Sequence, residues 1–190
     1  MAMRELDALR STTGEGEAAD WQIEPLIDHI VSHHHTYVRN ALPSIGSALA
    51  TLETVHGRRH PELAQVRWHV EQLRLDLFHH LLKEEHLLFP YLRDLARYSA
   101  DPGVVSNSPF GTVENPIRML EREHRHAAEA LRAIRQLTRD YRTPPDGCAS
   151  YRACMAELAE FECDLHRHLH LEDRVLFPKA LELERIAWQE

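Results

Sequence analysis

Four long stretches of this 190-residue chain carry apolar residues at alternating steps of three and four. This spacing places the apolar residues on one face of an α-helix, and no stretch shows the period of two expected of a half-buried strand. Clusters rich in glycine, proline and polar residues separate the stretches, at 57–61, 99–115 and 143–147. The sequence therefore predicts an all-α fold, an up-down four-helix bundle with shallow crossing angles.

Proline marks the expected starts of two of these helices. Pro61 suits the first turn of the second helix, and Asn115-Pro116 provides a cap and a first-turn proline for the third. Pro43 interrupts the first helix, but the apolar face continues beyond it, so we expect a kink rather than an end. On the second helix, the expected buried face includes Leu87 and Tyr91. The other expected limits are 24–55, 61–98 and 149–184.

The length of the chain suits one domain with a well-buried core. We expect a flexible amino-terminal segment at 1–20, the bundle at 21–185 and a carboxy-terminal tail at 186–190. Three cysteines without a CxxC pair favour reduced thiols over a disulfide framework.

The charge and the hydropathy pattern argue against several classes of partner. A formal net charge of -8 and a pI of about 6.0 are unfavourable for binding nucleic acid, which requires clustered lysine and arginine. Segment 1–20 does not resemble a signal peptide, and no run of 18 apolar residues could span a membrane. We therefore expect a cytoplasmic protein that binds neither nucleic acid nor membrane.

Six ionisable residues occupy positions on the apolar faces where leucine, isoleucine or valine is expected. They are His35, His80, Glu84, His124, His168 and Glu172. A buried imidazole or carboxylate without a partner costs several kcal/mol, and even a well-made pair roughly breaks even against apolar packing. Coordination of a metal ion would compensate, because it satisfies carboxylate oxygens and neutral imidazole nitrogens together.

The arrangement of these six residues repeats along the chain. The block His-x3-Glu at 80–84 recurs at 168–172, 88 residues later, and a Phe-Pro pair begins five residues after each glutamate. A single histidine on the preceding helix, His35 or His124, comes 45 or 44 residues before each block. Residues four apart on a helix face the same way, so each block presents a histidine and a glutamate together.

Four imidazoles and two carboxylates fit two iron ions bridged by the two carboxylates. The absence of thiolate favours iron or manganese over structural zinc, which prefers cysteine in a closed tetrahedron. Some neighbouring residues have more than one interpretation. His29 could contact a ligand, Glu123 could orient the ring of His124, and Tyr91 is expected to pack in the core. His166 and His170 form a competing pair, but they lie about 200° around the helix from His168.

The chain resembles the hemerythrin-like (HHE) family, and within it the di-iron iron-sulfur cluster repair proteins, over roughly residues 21–181. The motifs that carry the resemblance are Asp28-His29-Ile30 with His35, His80-x3-Glu84 running into Leu88-Phe89-Pro90, Glu123-His124, and His168-x3-Glu172 running into Leu176-Phe177-Pro178. The resemblance implies two non-haem iron ions, oxo-bridged and carboxylate-bridged. The four histidines would be terminal ligands, with Glu84 and Glu172 as bridges.

The sequence departs from the family pattern in three places. The oxygen-carrying hemerythrins have a second histidine where this chain has Ala128, and they bridge with aspartate where it has Glu172. Simple oxygen carriage is therefore not expected, and each iron should keep a more open position. Cluster repair proteins carry an amino-terminal module with adjacent cysteines, and segment 1–20 contains no cysteine.

The resemblance implies a role in nitrosative and oxidative stress. The protein would handle nitric oxide or peroxide, or supply iron to damaged iron-sulfur proteins. The alternatives are an oxygen or redox sensor that binds its ligand without turnover, and a bundle in which the metal serves only to stabilise the fold.

Overall fold

The computed structural model describes residues 21–100 and 110–188, except for the side chains of 98–100. The predicted flexible segment at 1–20 lies outside the described residues, as do residues 101–109 and 189–190. In chain order, the helical segments are α1 (Ile23–His29), π1 (Ile30–His35), α2 (Thr36–His56), α3 (Glu62–Lys83), π2 (Glu84–Leu88), α4 (Phe89–Ala100), α5 (Glu114–Leu137), α6 (Ala149–Leu171), π3 (Glu172–Leu176) and α7 (Phe177–Ala187).

These segments make four long helices. The first helix comprises α1, π1 and α2, the second comprises α3, π2 and α4, the third is α5, and the fourth comprises α6, π3 and α7. The first helix packs against the second and the fourth, and the third also packs against both. Pro43 lies inside α2 and does not end it. The predicted all-α four-helix bundle is confirmed.

The third helix begins differently from the prediction. Its first residue is Glu114, and the side chain of Asn115 donates to the carbonyl of Phe110 instead of capping the helix. Glu184 of α7 accepts a hydrogen bond from the backbone N–H of Val113 at 2.8 Å. A carboxylate is favourable at this end because unpaired N–H groups and the helix dipole make it positive. Glu184 of the fourth helix thus caps the third helix in place of Asn115.

Three π-helical turns change which residues face the core. Leu87, which the regular spacing placed on the buried face, is 51% exposed, whereas Leu88 is 1% exposed. The backbone N–H of Phe89 donates to the carbonyl of Glu84, five residues back rather than four. A π-helical turn holds more residues than an α-helical turn, so the residues that follow it are rotated relative to the regular pattern. Tyr91 remains buried, as predicted.

Two apolar clusters form the core. The turn-end cluster lies beside the connections at 57–61 and 138–148, and its residues come from 38–52, 63–81, 127–134 and 151–169. The far-end cluster comes from 23–30, 88–95, 113–120 and 171–187. Both clusters consist mainly of leucine, isoleucine, valine and phenylalanine. Among the described residues, no helix combines the length and apolar character needed to cross a membrane.

Candidate metal centre

All six predicted ligand residues lie in one layer between the turn-end and far-end clusters. Their side chains are buried, with exposed fractions between 0 and 3%. Each of the four helices contributes one histidine, and the second and fourth also contribute one glutamate each. The bundle therefore brings together residues that are up to 137 positions apart in the sequence, His35 and Glu172.

Two groups in this layer could each hold a metal ion. His35 and His168 form the 35/168 group with Glu84 and Glu172, and His80 and His124 form the 80/124 group with the same two glutamates. Within each group, one nitrogen or oxygen of every residue lies within 4.8 Å of the others. Because both groups share the carboxylates, they are adjacent, as two metal ions bridged by carboxylates would require.

The atoms that face the centre of the layer are the ones a metal would use. Nε2 of His168 lies 2.9 Å from Glu172, and Nε2 of His80 lies 3.3 Å from Glu84. Among the described residues, several buried atoms here have no hydrogen-bond partner: His35 Nε2, both carboxylate oxygens of Glu84, and Glu172 Oε2. Buried polar atoms without partners are costly. A bound cation would satisfy all of them, so the residues present fit a metal centre.

Carboxylates on the outer side hold two of the histidine rings. Nδ1 of His35 donates to Glu85 at 2.6 Å, and Nδ1 of His124 donates to Asp173 at 2.7 Å. Glu85 and Asp173 each directly follow a glutamate of the layer in the sequence. A carboxylate can only accept these bonds, so Nδ1 carries a proton, and in the neutral imidazole that a metal ion binds the lone pair belongs to Nε2.

Glu123 holds a third ring, although a different one from that proposed from the sequence. Its carboxylate accepts a hydrogen bond from Nδ1 of His80 at 2.9 Å and another from Lys83. Burial by itself raises the pKa of Glu123, but the hydrogen bonds from His80 and Lys83 lower it to about 2. Glu123 is therefore ionised and orients the histidine of the second helix rather than the neighbouring His124.

The histidines differ in their affinity for protons when no metal is bound. Burial alone lowers the pKa of His80, but the charge of Glu84 and a hydrogen bond to Glu123 raise it to about 10. Burial also lowers the pKa of His124, but the hydrogen bond to Asp173 and the charge of Glu172 raise it to about 9. At His168 burial prevails and the pKa falls below its ordinary value. Protons on the imidazoles thus balance carboxylate charge, a role that a metal cation would take over.

The π-helical turns coincide with the ligands. His35 is the last residue of π1, whereas Glu84 and Glu172 are the first residues of π2 and π3. Such turns occur often at functional sites. Sequence reasoning missed them, although one signal was present: a Phe-Pro pair follows both π2 and π3, and proline cannot donate a regular backbone hydrogen bond.

The remaining histidines near the layer divide into two kinds. His166 and His170 are exposed, so they do not replace His168. The ring of His29 contacts those of His33 and His34, and no described contact links it to a ligand residue. His34 lies outside the regular spacing of the apolar residues, but its side chain is only 7% exposed. Its ring lies parallel to that of His168 at 5.6 Å, and its Nδ1 pairs with Asp164 at 3.0 Å.

A cavity of about 360 Å³ lies between the second and third helices beside the layer. Its lining includes buried His80, half-buried Lys83 and Glu123, and exposed Arg122 and His126. The cavity therefore extends from the surface to the outer side of the 80/124 group.

Comparisons with known proteins agree with this geometry. Residues 26–180 match the family model described as the hemerythrin HHE cation binding domain. A probable iron-sulfur cluster repair protein of Haemophilus influenzae is 30% identical over 181 residues, which cover 94% of this chain and 75% of that protein. The iron-sulfur cluster repair protein YtfE of Yersinia pseudotuberculosis is 33% identical over 181 residues, with coverages of 93% and 75%. YtfE of Citrobacter koseri is 32% identical over 165 residues, with coverages of 85% and 69%. The chain belongs to the hemerythrin HHE family.

Proposed function

We propose that this chain is a non-haem di-iron protein that acts in nitrosative and oxidative stress, as an iron-sulfur cluster repair protein that donates iron or handles nitric oxide and peroxide. One observation carries the proposal: two buried His/Glu groups share Glu84 and Glu172. It is supported by relatives that match most of the chain and are named as cluster repair proteins. Under this proposal, the ligands are His35, His80, Glu84, His124, His168 and Glu172.

The donor atoms support iron rather than structural zinc. Each group offers two imidazoles and two carboxylates, and neither contains a cysteine. Structural zinc sites favour thiolates, whereas imidazole with carboxylate suits iron. Glu84 and Glu172 belong to both groups, so each would help to hold both ions.

The proposed centre has room for a small ligand. The third helix contributes only His124 to the layer, because Ala128 stands where the oxygen carriers have another histidine. Two imidazoles and bridging carboxylates leave coordination positions open. When bound, iron would supply a redox-active centre that accepts a diatomic ligand or peroxide. Three carboxylates hold the imidazoles in place, those of Glu85, Glu123 and Asp173. The two apolar clusters on either side of the layer would exclude bulk water.

Damaged iron-sulfur proteins are the proposed acceptors of iron. This part of the proposal rests on the relatives, which are named as iron-sulfur cluster repair proteins. A cytoplasmic location belongs to the same proposal. The three cysteines, Cys148, Cys154 and Cys163, are free, which is compatible with a reducing compartment.

The test starts with protein produced in iron-supplemented medium. Metal content per chain and absorption spectra before and after nitric oxide would be recorded, followed by incubation with an apo iron-sulfur protein whose cluster reconstitution is measured. We expect about two irons per chain, since two groups are present, a spectrum that responds to nitric oxide, and transfer of iron to the acceptor. The matched control is Glu172→Ala, which should lose most of its iron and should not support transfer.

Two outcomes would contradict the proposal. A folded bundle that binds zinc or no metal would overturn the di-iron assignment. A di-iron protein that neither reacts with nitric oxide or peroxide nor transfers iron would overturn the stress-response role. Reversible ligand binding without turnover or transfer would instead support the sensing alternative.

A further inference from the structure

The four proposed histidine ligands are not held equally. His35, His80 and His124 each donate from Nδ1 to a carboxylate, at 2.6, 2.9 and 2.7 Å respectively. Nδ1 of His168 is buried and has no hydrogen-bond partner among the described residues. Three of the four rings are therefore fixed by an outer carboxylate, and the fourth is held by packing alone on that side.

The internal repeat shows which residue stands where His168 would need an outer carboxylate. Glu123 directly precedes His124 and accepts the bond from His80. The corresponding residue of the other half is His34, which directly precedes His35 and faces His168. His34 cannot serve as Glu123 does, because its ring stacks parallel to that of His168 and its Nδ1 pairs with Asp164 instead.

The 80/124 group and the 35/168 group differ in how many of their imidazoles bind an outer carboxylate. In the 80/124 group both imidazoles donate to carboxylates, whereas in the 35/168 group only His35 does. A carboxylate on the outer nitrogen makes the imidazole a stronger ligand and fixes its tautomer and orientation. Loss of such a partner typically weakens metal binding by about 10- to 100-fold.

We propose that the iron held by His35 and His168 is released more readily than the one held by His80 and His124. The reason is that His34 occupies the position beside His168 that Glu123 occupies beside His80. The inference rests on the proposed di-iron function and identifies the iron that would be donated. The substrate class is Fe(II), which passes from imidazole and carboxylate ligands to an acceptor by ligand exchange, with no change of oxidation state. The iron held by His80 and His124 stays in the bundle.

The experiment measures iron release from the Fe(II)-loaded protein to an excess of the Fe(II) chelator ferrozine under anaerobic conditions. The absorbance of the chelate follows each iron in time. For the unmodified protein we expect two phases of equal amplitude, with rates that differ by about 10-fold or more.

Two variants assign the phases to the two groups. His34→Glu places a carboxylate opposite Nδ1 of His168 and should slow the fast phase by about 10-fold or more, leaving the slow phase unchanged. Glu123→Gln removes the carboxylate from His80 in a nearly isosteric way and should accelerate the slow phase by about 10- to 100-fold. His33→Glu is the matched control, because it adds the same charge one residue away on the exposed face. It should leave both rates unchanged.

Several results would overturn the inference. These are release of both irons at one rate, an unchanged fast phase in His34→Glu, and acceleration of the fast phase by Glu123→Gln. Circular dichroism would establish that each variant is folded, and if His34→Glu is not, the phase altered by Glu123→Gln decides the assignment. The chelator replaces the acceptor protein, so biphasic release without transfer to an apo iron-sulfur protein would reject the repair function and leave this inference intact.

Discussion

In the turn-end cluster, the four helices face one another through leucine, valine and isoleucine. Just beyond it, the same helix faces carry four histidines and two glutamates. Both regions are fully buried, but they contribute to stability with opposite sign. Each large apolar side chain contributes about 1.5–3 kcal/mol on burial, whereas an ionised group leaves water at a cost of several kcal/mol. The comparison indicates that apolar packing stabilises the bundle, whereas burial of the ligand layer costs free energy that a bound metal would offset.

The largest expected effect is the loss of metal from the ligand layer. Glu84→Ala removes a carboxylate that both groups share, so we expect loss of most of the bound iron, measured by elemental analysis of iron-loaded protein. His170→Ala, on the exposed face of the same helix as His168, is the control and should retain its iron. Loss of iron in His170→Ala would mean that the inner face of the fourth helix is wrongly assigned.

A substitution in the turn-end cluster should change stability without changing metal content. Leu49 is 0% exposed, and Leu49→Ala leaves a cavity that should lower the free energy of unfolding by about 2–5 kcal/mol. Urea denaturation measures this change, and iron content per chain should match that of the unmodified protein. A loss of iron comparable to that of Glu84→Ala would show that the two regions are not separable.

Apolar replacement within the layer should stabilise the metal-free protein. His168 and Glu172 are bonded at 2.9 Å, and exchanging both for leucine removes a buried polar pair together. We expect the free energy of unfolding of the metal-free chain to rise by about 1–4 kcal/mol, with loss of iron binding. Glu172→Leu alone should gain less or lose stability, since it leaves the buried imidazole of His168 without its carboxylate. If the double variant were strongly destabilised, the layer would not be an energetic cost.

The smallest expected effect concerns two thiols at the turn end. Burial raises the pKa of Cys154, a member of the cluster, to about 12, whereas the hydrogen bond with His56 lowers the pKa of exposed Cys148 to about 7. Since the thiolate reacts, alkylation of Cys148 by iodoacetamide should accelerate as the pH rises through about 7. His56→Ala should move that midpoint upward, and Cys154→Ser should not. A midpoint insensitive to His56 would contradict the assigned cause.

Much of the bundle could be predicted because helical spacing is a property of the chain itself. A residue's position along a helix determines its face, so the apolar runs and the six interruptions could be placed before any contact between helices was known. The same reasoning failed at Leu87 because π2 interrupts the regular spacing, and it failed at Asn115 because Glu184 of another helix binds the start of α5.

The partners of the ligands depended on the packing of the helices. Glu123 and His124 are adjacent in sequence, but neighbouring residues on a helix point about 100° apart, so Glu123 reaches His80 on the second helix instead. Likewise, nothing in the spacing of the histidines predicted that Asp173 would hold His124, or that His34 would be buried against His168.

The sequence by itself determined the four helices, the layer of ionisable residues on their inner faces and the division of that layer into two similar halves. These features follow from periodicity and repetition, which are local to the chain. Only the tertiary structure decided that His35 joins His168 and that His80 joins His124, and only it distinguished the histidines with outer carboxylates from the one without. Such pairings depend on how far each helix is rotated and shifted against its neighbours, and those quantities are set by packing across the whole bundle.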